Sequence, residues 1–523
     1  MTTRQRLREF VIRTSPWPPF RWAYAAVYGA ALVWLVIRLR RIPEIRSLDL
    51  RLPRSGHCFG SSDLDLRAET EPLAPSRFFA LAERLADVLL PGGTWLRIFD
   101  LYAFPATEYA LQARVAPRSA RSERRWIRLF GKRRPADEPH EKTVPGTVSA
   151  GDADDARLGR AMFEYTWLCQ YVFESDLDLH RARILYTRIM RIDEELRARS
   201  AGREHVPPDL AREVLDAASG PALGGRVRRA SFEALARAHA LALAETTALA
   251  RIVLERPRPP SPDTVEPMSC GSLPDTLGAA IGACREPVAA FCASRRGMIR
   301  SAVLGAAPGS RYDHRIYLLA RDDLGIAEHV ELCRSARELF VAANPTVPYA
   351  FFRTRYPIVL TPRLWRAAGC WYHALRSVEE HYFLVRHPVV IWGEDPRAEL
   401  VAPDRSAVLG SAAVAVADLR NRIWGALHHR QSAHLADLLG GRIPALWLVL
   451  ARSRVATSAA EAVAGCVEQG FPHARILAEL DDRLAGRHPR ELPRVEERIW
   501  RPAIEALDDW LDDLAARALS AVI

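Results

Sequence analysis

Gly60-Ser61-Ser62-Asp63-Leu64-Asp65-Leu66 decides how the N-terminal part of this chain is read. A turn of glycine and serine runs straight into alternating acidic and apolar residues, the period of a half-buried strand. Side chains alternate along a strand, so Asp63 and Asp65 share one face and Leu64 and Leu66 the other. Two carboxylates on one face offer hard oxygen donors, and Mg2+ is held by few such donors together with phosphate oxygens and water.

Outward from this stretch, residues 45–52 (IRSLDLRL) read as a preceding strand and residues 54–62 as the polar turn between the two. Downstream, residues 76–90 (SRFFALAERLADVLL) have helical spacing, and Pro91-Gly92-Gly93 ends the helix. Residues 94–104 (TWLRIFDLYAF) form a third expected strand, with residues 108–115 as its hairpin partner across Pro105. Asp100 lies in the apolar run of that third strand, and a charge in such a place requires a partner. A metal ion would serve, as would backbone amides or an arginine such as Arg97.

A glycine-serine element, an Asp-x-Asp on a strand, a helix, and a later strand bearing a third acid together resemble the polymerase-β-type nucleotidyltransferase superfamily. The resemblance covers roughly residues 20–115. It implies an α/β (α+β) nucleotidyltransferase-like N-terminal domain, with large, mostly helical middle and C-terminal parts outside it. It further implies Asp63, Asp65 and Asp100 as ligands of a two-ion Mg2+ site, with Asp100 alternatively the base for an attacking hydroxyl. Gly60, Ser61 and Ser62 would approach a nucleoside triphosphate such as ATP, and Arg54 would grip its phosphates, as Arg51 and Arg67 could. The implied reaction moves a nucleoside monophosphate onto a hydroxyl or phosphate of an acceptor, which could be a small molecule, a protein side chain or an RNA end. The Gly-Ser lies directly against Ser62-Asp63, whereas the superfamily has it at the end of the first strand, which here reads Leu52-Pro53-Arg54-Ser55-Gly56. The alternative is therefore a non-catalytic scaffold of the same fold.

At 523 residues the chain is too long for one core, and about three domains are expected. Proline- and acid-rich linkers at 135–158 and 256–268 separate a nucleotidyltransferase-like domain at 1–134, a helical domain at 159–255, and a mixed, mostly helical domain at 269–523. Helical patterning from 273 to 303 precedes strands at 312–320 and 349–360, a helix at 327–343 between them, and a Gly-Glu-Asp turn after VVIW. Residues 312–396 thus echo nucleotidyltransferase elements, displaced or as a degenerate second copy, and read equally as a plain α/β or helical substrate module. Asp322 and Asp323 are adjacent and would point to opposite faces of a strand, so they do not form a chelating pair. Ser175-Asp176-Leu177-Asp178-Leu179 repeats the acidic string but is followed by helical spacing, which reads as a helix start.

The net charge of +10 rests almost wholly on arginine, and lysine occurs only at Lys132 and Lys142. Residues 113–134 carry nine basic residues and one acid, Glu123, which reads as a solvated loop or a surface for polyanions such as RNA. Eight scattered cysteines without a Cys-x-x-Cys point to free thiols in a cytoplasmic compartment. Residues 22–37 (WAYAAVYGAALVWLVI) contain no charge, and read as a buried helix or as a membrane contact.

Overall fold

The computed structural model describes residues 17–51, 64–71, 99–105, 126–131, 246–255, 266–267, 275–306, 314–343, 357–367, 389–400, 405–428, 432–456, 458–484 and 497–522, with single positions at 10, 11, 14, 80, 81, 84, 85, 87, 88, 158, 162, 165, 243 and 244. Two compact units divide the chain. One holds residues 1–147, 412–453 and 459–523; the other holds residues 148–411 and 454–458. The grouping cuts across the segments expected from sequence, since residues 269–523 are shared between both units.

In the first unit a long helix, α1 (Pro18–Arg40), leads into β1 (Ile45–Arg51). Strand β2 (Leu64–Thr70), strand β3 (Phe99–Pro105) and strand β4 (Trp126–Phe130) complete a sheet of order β3-β2-β1-β4. β1 runs antiparallel to β2 and to β4, whereas β2 and β3 are parallel. Parallel neighbours need a crossover, and residues 80, 81, 84, 85, 87 and 88 are helical there, with Leu81 and Leu85 fully buried. The underside of the sheet is apolar: Leu48 pairs with Ala68 and Leu66 with Leu101, all at most 1% exposed. β4 falls inside the basic run expected as a loop. Trp126, Ile127, Leu129 and Phe130 supply the β-branched and aromatic content that a strand uses, and antiparallel pairing to β1 satisfies its backbone. The expected hairpin partner at 108–115 lies outside the described residues.

A two-residue strand, β5 (Glu266–Pro267), precedes helix α2 (Asp275–Ser294) in the second unit. The expected helix to residue 303 instead stops at Ser294. Arg295–Met298 form the turn, and β6 (Ile299–Ala306) follows. Its Ile299 and Val303 are β-branched and suit the strand they occupy. β7 (His314–Ala320), helix α3 (Ile326–Ala343), β8 (Ile358–Leu360), the short helix α4 (Pro362–Arg366) and β9 (Val389–Gly393) complete a sheet of order β8-β7-β6-β9. Both faces of its centre are buried, Ser301, Val303, Tyr317 and Leu319 on one and Ala302, Leu304, Ile316 and Leu318 on the other. Leu158, Met162, Tyr165, Leu243, Leu249 and Val253 from the preceding helical stretch belong to the same core. The Tyr165 hydroxyl donates to the carbonyl of Val359, tying that stretch to β8. β5 pairs with a final short strand, β10 (Arg454–Val455).

The described residues from Arg405 onward are mostly helical. Trp447 and Trp510 are buried on either side of Phe471, with ring centroids 5.2 and 5.8 Å from it. The indole N–H of Trp447 donates to Asp513 Oδ2 at 2.7 Å, and that of Trp510 to the Pro472 carbonyl at 2.7 Å. Each large aromatic is thus buried without stranding its donor.

Two long apolar helices are differently housed. Of the most apolar window in residues 434–452, 78% is buried, a core helix; of that in α1, 11% is buried. The buried-helix reading of residues 22–37 is therefore corrected. Only Leu35 and Leu39 of α1 are buried, while Trp22 is 74% exposed.

Candidate functional site

The upper face of β1 and β2, opposite the apolar underside, is polar at its centre. On β2, Asp65, Arg67 and Glu69 alternate with the apolar underside. Glu69 Oε2 accepts from Ser47 Oγ at 3.1 Å. Asp49, 4% exposed on β1, is paired in register with Arg67 on one side and Arg128 on the other. Arg67 donates to Asp49 Oδ2 through Nε at 3.2 Å and Nη2 at 3.0 Å, and Arg128 donates to Oδ1 through Nε. Both carboxylate oxygens are engaged by guanidinium groups, so a charge that would be costly to bury alone is matched by two. The trio clamps β2, β1 and β4 together at the middle of the face.

One step toward the start of β2 stands Asp65, half-buried. Its partner in the parallel register is Asp100 on β3. Adjacent strands lie about 4.8 Å apart and in-register residues share a face, so the backbone sets these two acids side by side. The donor set is hard oxygen, which fits Mg2+.

Asp63, Gly60, Ser61, Ser62 and Arg54 lie outside the described residues. Among the described residues no group of three His, Cys, Asp or Glu side chains is gathered closely enough to hold a metal ion. Arg67, expected as a phosphate contact, turns instead to Asp49. Arg128, in the basic run that reads as a solvated loop or a polyanion surface, also pairs with Asp49. The residue that sequence reading passed over is Asp49. Its signal was present in IRSLDLRL: an acid in the apolar run of a strand, the same pattern that singled out Asp100.

Comparison with models of protein families, with curated proteins and with solved structures finds no match for this chain.

Proposed function

We propose that the N-terminal sheet carries out Mg2+-dependent transfer of a nucleoside monophosphate from a nucleoside triphosphate to a hydroxyl or phosphate of an acceptor. The observation that supports this most is the register of Asp65 with Asp100 on the polar face of a mixed sheet, directly after the Gly-Ser turn. In this reading Asp63 and Asp65 hold the metal-bound triphosphate, and bound Mg2+ supplies charge neutralisation for the phosphates. Gly60, Ser61 and Ser62 donate hydrogen bonds to phosphate oxygens from the turn, and Arg54 adds a cation. Asp100 takes the proton as the acceptor oxygen bonds to the α-phosphorus, while the bond from that phosphorus to pyrophosphate breaks. The Asp49–Arg67–Arg128 trio fixes the strand that presents Asp65.

A labelled nucleoside triphosphate should bind in a Mg2+-dependent manner and release pyrophosphate, and Asp63→Ala and Asp65→Ala should abolish both. No binding to wild type with Mg2+ or Mn2+ would sink the proposal. Binding without pyrophosphate release against small-molecule, protein and RNA acceptors would instead support the scaffold of the same fold.

The exposure of α1 supports a location for the reaction at a lipid bilayer. The helix is apolar around its circumference from 22 to 37, and such a helix is stable only inside a core or in lipid. Its 23 residues extend about 34 Å, enough for a hydrocarbon layer of about 30 Å. Trp17, Phe20, Trp22 and Tyr24 lie near one end and Trp34 near the other, where amphipathic rings favour the interface. Arg38, Arg40 and Arg41 follow at the C-terminal end. Basic residues also precede the helix, so flanking charge does not orient it. The need for a triphosphate places β1 and all that follows on the cytoplasmic side. In the full chain, Val27→Arg with Val33→Arg, both at exposed positions, should release the protein from phosphatidylcholine–phosphatidylglycerol vesicles in a flotation assay. Flotation unchanged by the pair of substitutions would rule α1 out as the anchor.

A further inference from the structure

The two four-stranded sheets are built on one plan. Order and direction agree strand for strand, with β1, β2, β3 and β4 matching β6, β7, β8 and β9. The irregularities agree as well. β1 and β2 slip register between Ile45 and Ser47, and β6 and β7 between Ile299 and Ser301. β1 and β4 slip between Leu48 and Asp49, and β6 and β9 between Ala302 and Val303. Bulges are specific features of a strand pair, not noise. Beyond the strands, the Glu71 amide donates to the Glu44 carbonyl at 3.1 Å, and at the same place in the other sheet the Arg321 amide donates to the Met298 carbonyl at 3.0 Å. A glycine with positive φ follows β4 and ends β9, Gly131 at 96° and Gly393 at 82°. A Cβ on Gly131 would collide with the Arg46 carbonyl and Ser47, and one on Gly393 with the Arg300 carbonyl and Ser301. The sequences coincide where these constraints meet: Ile45-Arg46-Ser47 and Ile299-Arg300-Ser301, each a few residues after an Arg-Arg pair, Arg40-Arg41 and Arg295-Arg296.

We infer that the chain is an internal duplication, and that its second module is a silent copy whose acid-bearing face has become part of an apolar core. The shared register identifies what was exchanged. Asp65 corresponds to Arg315, and Asp49, Arg67 and Arg128 correspond to Val303, Tyr317 and Val390. In sequence, Tyr356 stands two residues ahead of Ile358 as Asp100 stands two ahead of Tyr102, its register equivalent. Asp313, the counterpart of Asp63, keeps its acid and lies outside the described residues. An arginine in register where the first sheet has Asp65 does not supply a carboxylate ligand for Mg2+. The three members of the ion cluster have been replaced together by apolar or aromatic residues, as physical chemistry requires: removing one partner strands a buried charge, whereas replacing all of them with packed side chains is close to neutral. Val303 and Tyr317 on that face are buried, and the Tyr317 ring lies 6.4 Å from that of Trp365 on α4.

The equivalence is tested by moving the second solution into the first sheet of the full-length protein. Asp49→Val alone leaves Arg67 and Arg128 without their shared carboxylate, and should lower the thermal midpoint by roughly 5–15 °C. The triple variant Asp49→Val, Arg67→Tyr, Arg128→Val should recover at least half of that loss. A triple variant no more stable than Asp49→Val, or one that fails to fold, overturns the equivalence. The silence of the second module rests on the proposed function and has its own readout, equilibrium dialysis with a labelled nucleoside triphosphate and Mg2+. One nucleotide per chain is expected, unchanged in Arg315→Ala and lost in Asp65→Ala. Two per chain, or one retained in Asp65→Ala, overturns the silence. No nucleotide on wild type overturns the proposed function and leaves the duplication to the stability measurement.

Discussion

The faces of β1–β4 and β6–β9 that correspond to one another carry opposite chemistry on the same hydrogen-bond ladder. At the centre of the first, a carboxylate and two guanidinium groups fill the space over the pleat; at the centre of the second, two valines and a tyrosine do so. Everything that steers the backbone is shared: strand order, both register slips, and the glycine that lets β4 and β9 close against the first strand of each sheet. The difference teaches that topology here is set by backbone pairing and by the apolar underside. The chemistry of the upper face is a separate choice, made as a group of three.

That comparison breaks most easily at its apolar end. Val303→Asp puts a carboxylate at a fully buried position whose register neighbours are Tyr317 and Val390. A loss of about 3–5 kcal/mol is expected, measured by urea unfolding. A loss under 1 kcal/mol would mean that the second face takes a charge as readily as the first. A smaller effect should appear equally in both modules. Gly131→Ala and Gly393→Ala each force a side chain into a left-handed backbone that also lacks room for it, and each should cost roughly 2–4 kcal/mol. Matching losses would sharpen the parallel between the modules, and a loss at only one of them would break it.

Much of the first module was legible in the sequence. Strand alternation in IRSLDLRL and in Asp63-Leu64-Asp65-Leu66 announces β1 and β2, because a strand buried on one face must alternate. The turn at Pro91-Gly92-Gly93 and the run containing Asp100 announce β3. What could not be read was pairing. β4 sits inside an arginine-rich run that looks like a solvated loop, and only the partner across the sheet, Asp49, explains why Arg128 is there. For the same reason Arg67 resembled a phosphate ligand until its neighbour was known. In the second module the sequence of β6 merges with the preceding helical pattern, because a strand buried on both faces has no alternation to display. The exposure of α1 is likewise a property of what surrounds a helix and not of its composition.

The parallel pairing of β2 with β3 separates two things that usually vary together in proteins. The position of Asp100 beside Asp65 depends on register within the ladder, whereas the chain joining them, residues 71–98, only has to return. Closing a longer connection costs little, about 0.6 kcal/mol for each doubling of its length. The corresponding connection in the second module, residues 321–357, is already longer. Insertions in this crossover are therefore the changes in length that the module can best absorb over evolutionary time, since they leave the geometry of the acids untouched.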